Sequence, residues 1–84
     1  MTFTVVWRTD ALERLAAIWN DATDRAAVSR TSNAIDAELQ KDPFAVGESR
    51  QGRTRIWLPS PLGIFYDVSP DDCLVTVWAV WRIG

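Results

Sequence analysis

The stretch RTRIWLPSPLGIFYDVSPDDCLVTVWAVWR, residues 53–82, decides the fold, because its side chains alternate in character along three segments separated by two proline-containing turns. From Arg53 to Leu58, Thr54, Ile56 and Leu58 share one face and Arg53, Arg55 and Trp57 the other. Pro59-Ser60-Pro61 turns the chain, after which Leu62, Ile64, Tyr66 and Val68 alternate with Gly63, Phe65 and Asp67. Ser69-Pro70-Asp71-Asp72 places proline where a type I turn favours it. A last strand over Cys73–Arg82 sets Cys73, Val75, Val77 and Ala79 against Leu74, Thr76, Trp78 and Val80. This is a three-stranded antiparallel meander. Aliphatic character selects Ile56, Ile64, Tyr66, Val75 and Val77 as the buried set, so the open face would display Arg53, Arg55, Trp57, Phe65, Thr76 and Trp78.

Upstream of the meander the period changes. Thr2–Trp7 (TFTVVW) is a β-branched and aromatic run that reads as a strand. Asp10 and Glu13 have the spacing of a capping box and open a helix whose stripe is Leu12, Leu15, Ala16 and Trp19. Asn20–Thr23 interrupts it. A second helix, capped by Asp21 or Thr23, runs from Asp24 to about Gln40 with Ala27, Val28, Thr31, Ala34, Ile35 and Leu39 inward; Asp42-Pro43 ends it. Residues 44–52 (FAVGESRQG) read as a loop with Phe44 and Val46 tucked beneath it, and Trp7 and Trp19 as core. The expected architecture is α+β in the order β-α-α-β-β-β, two antiparallel helices packed on one face of a mostly antiparallel sheet.

Composition bounds the function. Eighty-four residues form one domain, 1–84, with 48% apolar residues and five tryptophans for its core. No apolar run approaches the ~20 residues of a bilayer span, and the start lacks a secretion signal, so a cytoplasmic setting is expected. Cys73 is the single cysteine, which excludes an intrachain disulfide and suits a reducing compartment. Histidine is absent, which removes zinc sites and Ser-His or Cys-His catalysis; no metal or cofactor is expected. Net charge is −2, yet residues 49–84 hold four basic and three acidic groups against five and eight in residues 1–48. Between Ser49 and Tyr66 lie three arginines and no acid.

In combination, the opening strand with Trp7, the ID-x-x-L-x-x-DP helix ending (35–43), RQGRTRIW (50–57), PLGIFYDV (61–68) and the V-x-V-x-x-V strand (75–80) resemble the RelE/ParE superfamily. These are the toxin halves of bacterial type II toxin–antitoxin pairs, often labelled plasmid-stabilisation proteins. The resemblance covers nearly the whole chain. It implies growth inhibition, through ribosome-dependent cleavage of messenger RNA or through DNA gyrase, and a cognate antitoxin as partner. Cleavage needs a base at the ribose 2′-hydroxyl, an acid at the leaving oxygen and cations around the phosphorus. By position the resemblance assigns Arg53, Arg55 and Arg82 to that catalytic set. Two departures stand out: Gly63 occupies the family's third-strand arginine position, and the chain stops two residues past Arg82 with no basic-aromatic tail. The alternative is therefore a toxin-fold binding module that keeps its antitoxin and has lost catalysis.

The remaining candidates are binding residues. Arg50, Arg53 and Arg55 read as contacts to phosphate or to a target protein, or as charges guarding a strand edge. Trp57, Phe65 and Trp78 read as partner contacts, as base-stacking groups, or as core if the faces are reversed. Glu48 is the best-placed carboxylate for a general base, and Tyr66 is assigned to the core side.

Overall fold

A computed structural model describes residues 2–84. The elements are β1 (Thr4–Trp7), α1 (Thr9–Asp21), α2 (Arg25–Lys41), β2 (Glu48–Ser49), β3 (Thr54–Trp57), β4 (Leu62–Ser69) and β5 (Leu74–Arg82). They build the expected α+β arrangement. The sheet has five strands in the order β1-β5-β4-β3-β2, with β1 parallel to β5 and every other pair antiparallel. The fifth strand is β2, two residues inside the expected loop that pair Glu48 with Ile56 and Ser49 with Arg55. Two residues carry no detectable alternation, so pattern alone passes over such a strand.

Both helices pack on the sheet face that carries Leu62, Ile64, Tyr66 and Val68 from β4 and Val75, Val77 and Val80 from β5. The α2 stripe holds where its residues are large: Val28, Ile35 and Leu39 are buried, and half-buried Thr31 donates to Ser60 O at 3.3 Å. The α1 stripe is rotated. Ala11 and Ile18 are buried and Leu15 and Ala22 pack on the core, whereas Leu12 is 50% and Trp19 40% exposed. The helix is apolar over a wide arc, and the tight seat against β5 goes to the small Ala11, which lets the backbones approach. Trp19 is thus not core. It lies across the helix pair, its Nε1 donating to Ser29 Oγ at 3.1 Å and Arg25 stacked over its ring.

Neither expected cap forms. Arg8 is the N-cap of α1, and Asp10 turns its carboxylate to the Ala11 N–H and to Arg8. Asp24 is the N-cap of α2 and makes no side-chain capping bond; its carboxylate is engaged elsewhere. Phe44 does not tuck under its loop but is 51% exposed, edge-on to Phe3, while Val46 does pack on the core. Leu58 lies past the end of β3 and is exposed, and Cys73 sits in the β4–β5 turn at φ +49 rather than in the strand.

The register reverses the faces of β3. Arg55 pairs with Tyr66 and Trp57 with Ile64, and directly opposed residues share a face, so Arg55 and Trp57 lie on the helix side with the core. Thr54 and Ile56 face the other way. A β-bulge does the same to the end of β5: Phe65 pairs with Ala79 and Tyr66 with Val77, leaving Trp78 as the extra residue. Val80 consequently turns inward and is buried, and Trp81 turns outward.

Candidate functional site

The open face is aromatic and almost uncharged. Phe65 and Trp78 stack with ring centres 5.1 Å apart and planes at 7°, and Trp81 lies 5.1 Å from Phe65 on the other side. Gly63 makes room for Trp81, since a Cβ there would lie 2.5 Å from the indole Cε2. Asp67 is the one charged residue of β3, β4 or β5 on this face, and its Oδ1 accepts from Thr54 Oγ1 at 2.7 Å and Trp78 Nε1 at 3.0 Å. Thr54 and Trp78 are thereby clamped to one carboxylate oxygen. Phe65 and Trp78 stand where the alternation put them, while Trp57 sits on the helix side, partly buried against the core.

Neither Arg55 nor Arg82 shares that face. Arg55 is half-buried: its Nε donates to Tyr66 Oη at 3.3 Å, its Nη2 to Val46 O at 3.0 Å and Gly47 O at 3.2 Å, and its guanidinium lies 5.6 Å above the Phe44 ring. Tyr66 completes the knot by donating to Pro43 O at 2.8 Å, with Val46 O at 3.0 Å as a second acceptor. Together the two side chains tie the segment after α2 onto β3 and β4. Arg53 is exposed just outside β3, and Arg50 pairs with Glu48 at 3.2 Å. Glu48, the carboxylate read as a base, is thus held by a cation at the sheet edge.

Arg82 stands elsewhere. It donates to Asp24 Oδ2 at 2.8 Å, joining the end of β5 to the α1–α2 turn beside a cavity of about 310 Å³ that Arg14 and Thr23 also line. Since Arg82 pairs with Leu62 and Arg55 with Tyr66, four residues separate them along β4, about 13 Å at the usual strand rise. Each is held by partners of its own, Arg82 by Asp24 and Arg55 by Tyr66 and two carbonyls. The arginines therefore form two separate basic places, with the aromatic face apart from either.

Three groups titrate abnormally, among them Arg82, whose guanidinium is pushed up by its hydrogen bond to Asp24. Burial pushes the Tyr66 hydroxyl above its ordinary value, partly offset by the Arg55 hydrogen bond, and the Arg82 hydrogen bond holds the Asp24 carboxyl below its own. A raised folded value supplies stability below the unfolded one and loses it as pH rises. The unfolding free energy should accordingly fall above about pH 10 as Tyr66 ionises, and urea titrations of Tyr66→Phe should lack that fall. The lowered Asp24 value works in the opposite sense, supplying stability at neutral pH that disappears as pH drops through it; exposure and salt keep this effect small.

No protein-family model and no curated protein sequence matches the chain. Solved structures do. A chain of the toxin–antitoxin complex RelBE2 from Mycobacterium tuberculosis superposes with a TM-score of 0.79 at 16% identity, over 98% of this chain and 92% of that one. The fold is that of the RelE/ParE toxins. The chromosomal ParDE toxin–antitoxin system of P. aeruginosa gives 0.74 at 14% identity over 99% and 98%. The isolated E. coli RelE toxin gives 0.67 at 15% over 100% and 86%. On this RelE/ParE-like scaffold Trp81, Asp67 and Phe44 are the residues that sequence reading left out of the site. Strict alternation assigned Val80 to the open face and made Trp81 unremarkable, and only the bulge brings that indole onto Phe65. Among the described residues no helix is long and apolar enough to cross a membrane.

Proposed function

We propose that this chain, as a single domain over residues 1–84, is the toxin of a toxin–antitoxin pair, acting in the cytoplasm and neutralised by a cognate antitoxin protein. The observation that carries this reading is the likeness to RelE/ParE toxins over essentially the whole chain, including structures of toxin–antitoxin complexes. On the target, the separate anchoring of Arg55 and Arg82 and the largely aromatic open face favour a protein such as DNA gyrase over messenger RNA. RNA cleavage would need Arg53, Arg55 and Arg82 converging on one phosphate, and RNA affinity comes chiefly from phosphate neutralisation. The same separation favours, as a second reading, a module that binds its antitoxin without arresting growth.

Inducible expression in a bacterial host tests this. Growth should stop, with altered plasmid supercoiling and no new messenger RNA ends, and co-expression of the antitoxin should restore it. New RNA ends would move the target to the ribosome. Abundant folded protein without a growth defect would overturn the toxin reading in favour of the silent module.

A further inference from the structure

Beside the start of β3 lies a cavity of about 340 Å³ whose walls include Phe44, Ser49, Arg53, Arg55, Val68 and Pro70. Its charge is uncompensated. Arg8, Arg50 and Arg82 each meet a carboxylate, from Asp10, Glu48 and Asp24 respectively. The half-buried guanidinium of Arg55 instead meets neutral acceptors, two carbonyls and a hydroxyl, and its Nη1 is unused. The Arg53 side chain makes no hydrogen bond or ion pair among the described residues. Arg53 and Arg55 are two residues apart on one face, about 7 Å along the strand, so one carboxylate can lie between them. Such a concentration of positive charge in a chain of net charge −2 is a local feature with its own cost, because a desolvated cation without a counter-ion is unfavourable.

We propose that this pocket binds an acidic peptide segment of a partner protein. One carboxylate lies between Arg53 and the Arg55 Nη1, and a neighbouring apolar side chain rests on Phe44, Val68 and Pro70. The site rests on the reading that the chain binds a protein partner, and says where and by what chemistry. Two observations favour peptide over RNA. The aromatic platform that could stack bases, Phe65 with Trp78, is on the opposite face of the sheet. Alongside the pocket, β2 ends the sheet, so its outer edge can take the backbone of an added strand.

The test titrates the ¹⁵N-labelled protein with the peptide Glu-Leu-Glu-Phe, with Gln-Leu-Gln-Phe, and with a uridine hexanucleotide. The acidic peptide should move the amide signals of Ser49, Gly52, Arg53 and Val68. Binding should weaken about tenfold with Arg53→Gln and by a similar factor with the glutamine peptide, and be unchanged by Arg30→Gln on the exposed side of α2. Arg53 makes no side-chain bond in the fold, so its variant folds. Equal binding of the two peptides, no response to Arg53→Gln, or tighter binding of the hexanucleotide to the same amides would overturn the pocket's assignment. Growth arrest that survives such a failure leaves the toxin reading standing, whereas peptide binding without growth arrest removes the toxin reading alone.

Discussion

Tyr66→Ala is expected to lower the unfolding free energy by about 3–5 kcal/mol, a large fraction of what a small domain possesses. The ring is fully buried at the centre of β4, with Leu62, Ile64 and Val68 along its own strand and Val77 opposite. Losing it opens a cavity in the middle of the core. Its hydroxyl is a separate contribution, holding Pro43 O and Val46 O and accepting from Arg55. Tyr66→Phe removes that oxygen alone and should cost about 1–3 kcal/mol, because a half-buried arginine and two carbonyls lose their shared partner. The two variants separate packing from hydrogen bonding in urea unfolding, and hydrogen exchange should show faster opening at Val46 and Gly47 in Tyr66→Phe. An unchanged midpoint in that variant would mean the knot contributes nothing.

Gly63→Ala is expected to cost about 1–3 kcal/mol although it adds a single methyl group. That methyl would lie within 2.5–2.7 Å of three atoms of the Trp81 indole, so the ring must leave its seat and its packing against Phe65. The cost belongs to the pair. With Trp81→Ala already in place, Gly63→Ala should be nearly free, a coupling of about 0.5–3 kcal/mol in a double-mutant cycle, and additive effects would refute the account. Tryptophan fluorescence should change with the single variant. Gly63→Arg, which would restore the arginine of the RelE pattern, should destabilise further and return no RNA cleavage, because the position is filled by an indole from the next strand. Gly63 therefore has a packing reason of its own in this chain, the close approach of the Trp81 indole.

How much of this was legible depends on the kind of residue. The α2 stripe could be read because Val28, Ile35 and Leu39 are large, apolar and recur at helical spacing among mostly polar residues. In β4 the alternation of Leu62, Ile64, Tyr66 and Val68 with Gly63, Phe65 and Asp67 was equally clear, and every inward residue is buried. The turns at Pro59–Pro61 and Ser69–Asp72 announced themselves through proline and aspartate. The candidate site was harder. In Thr54–Trp57 both faces carry one large apolar residue, and aliphatic character chose Ile56 for the core where the register puts Trp57 on the core side.

By itself, then, the sequence determined the order of every element except β2, the meander, the core of α2 and β4, and the resemblance to RelE/ParE toxins, because these rest on local periodicity and turn chemistry. Tertiary structure decided which face of β3 is buried, since the register to Tyr66 and Ile64 gives Arg55 its acceptors and Trp57 its packing. It decided, through the bulge at Trp78, that Trp81 joins Phe65 while Val80 goes inside. It also split the arginines between an Asp24 pair and an uncompensated pocket. A period of two fixes which residues share a face; only pairing between strands fixes which face meets the helices, and one inserted residue reverses the answer from that point on.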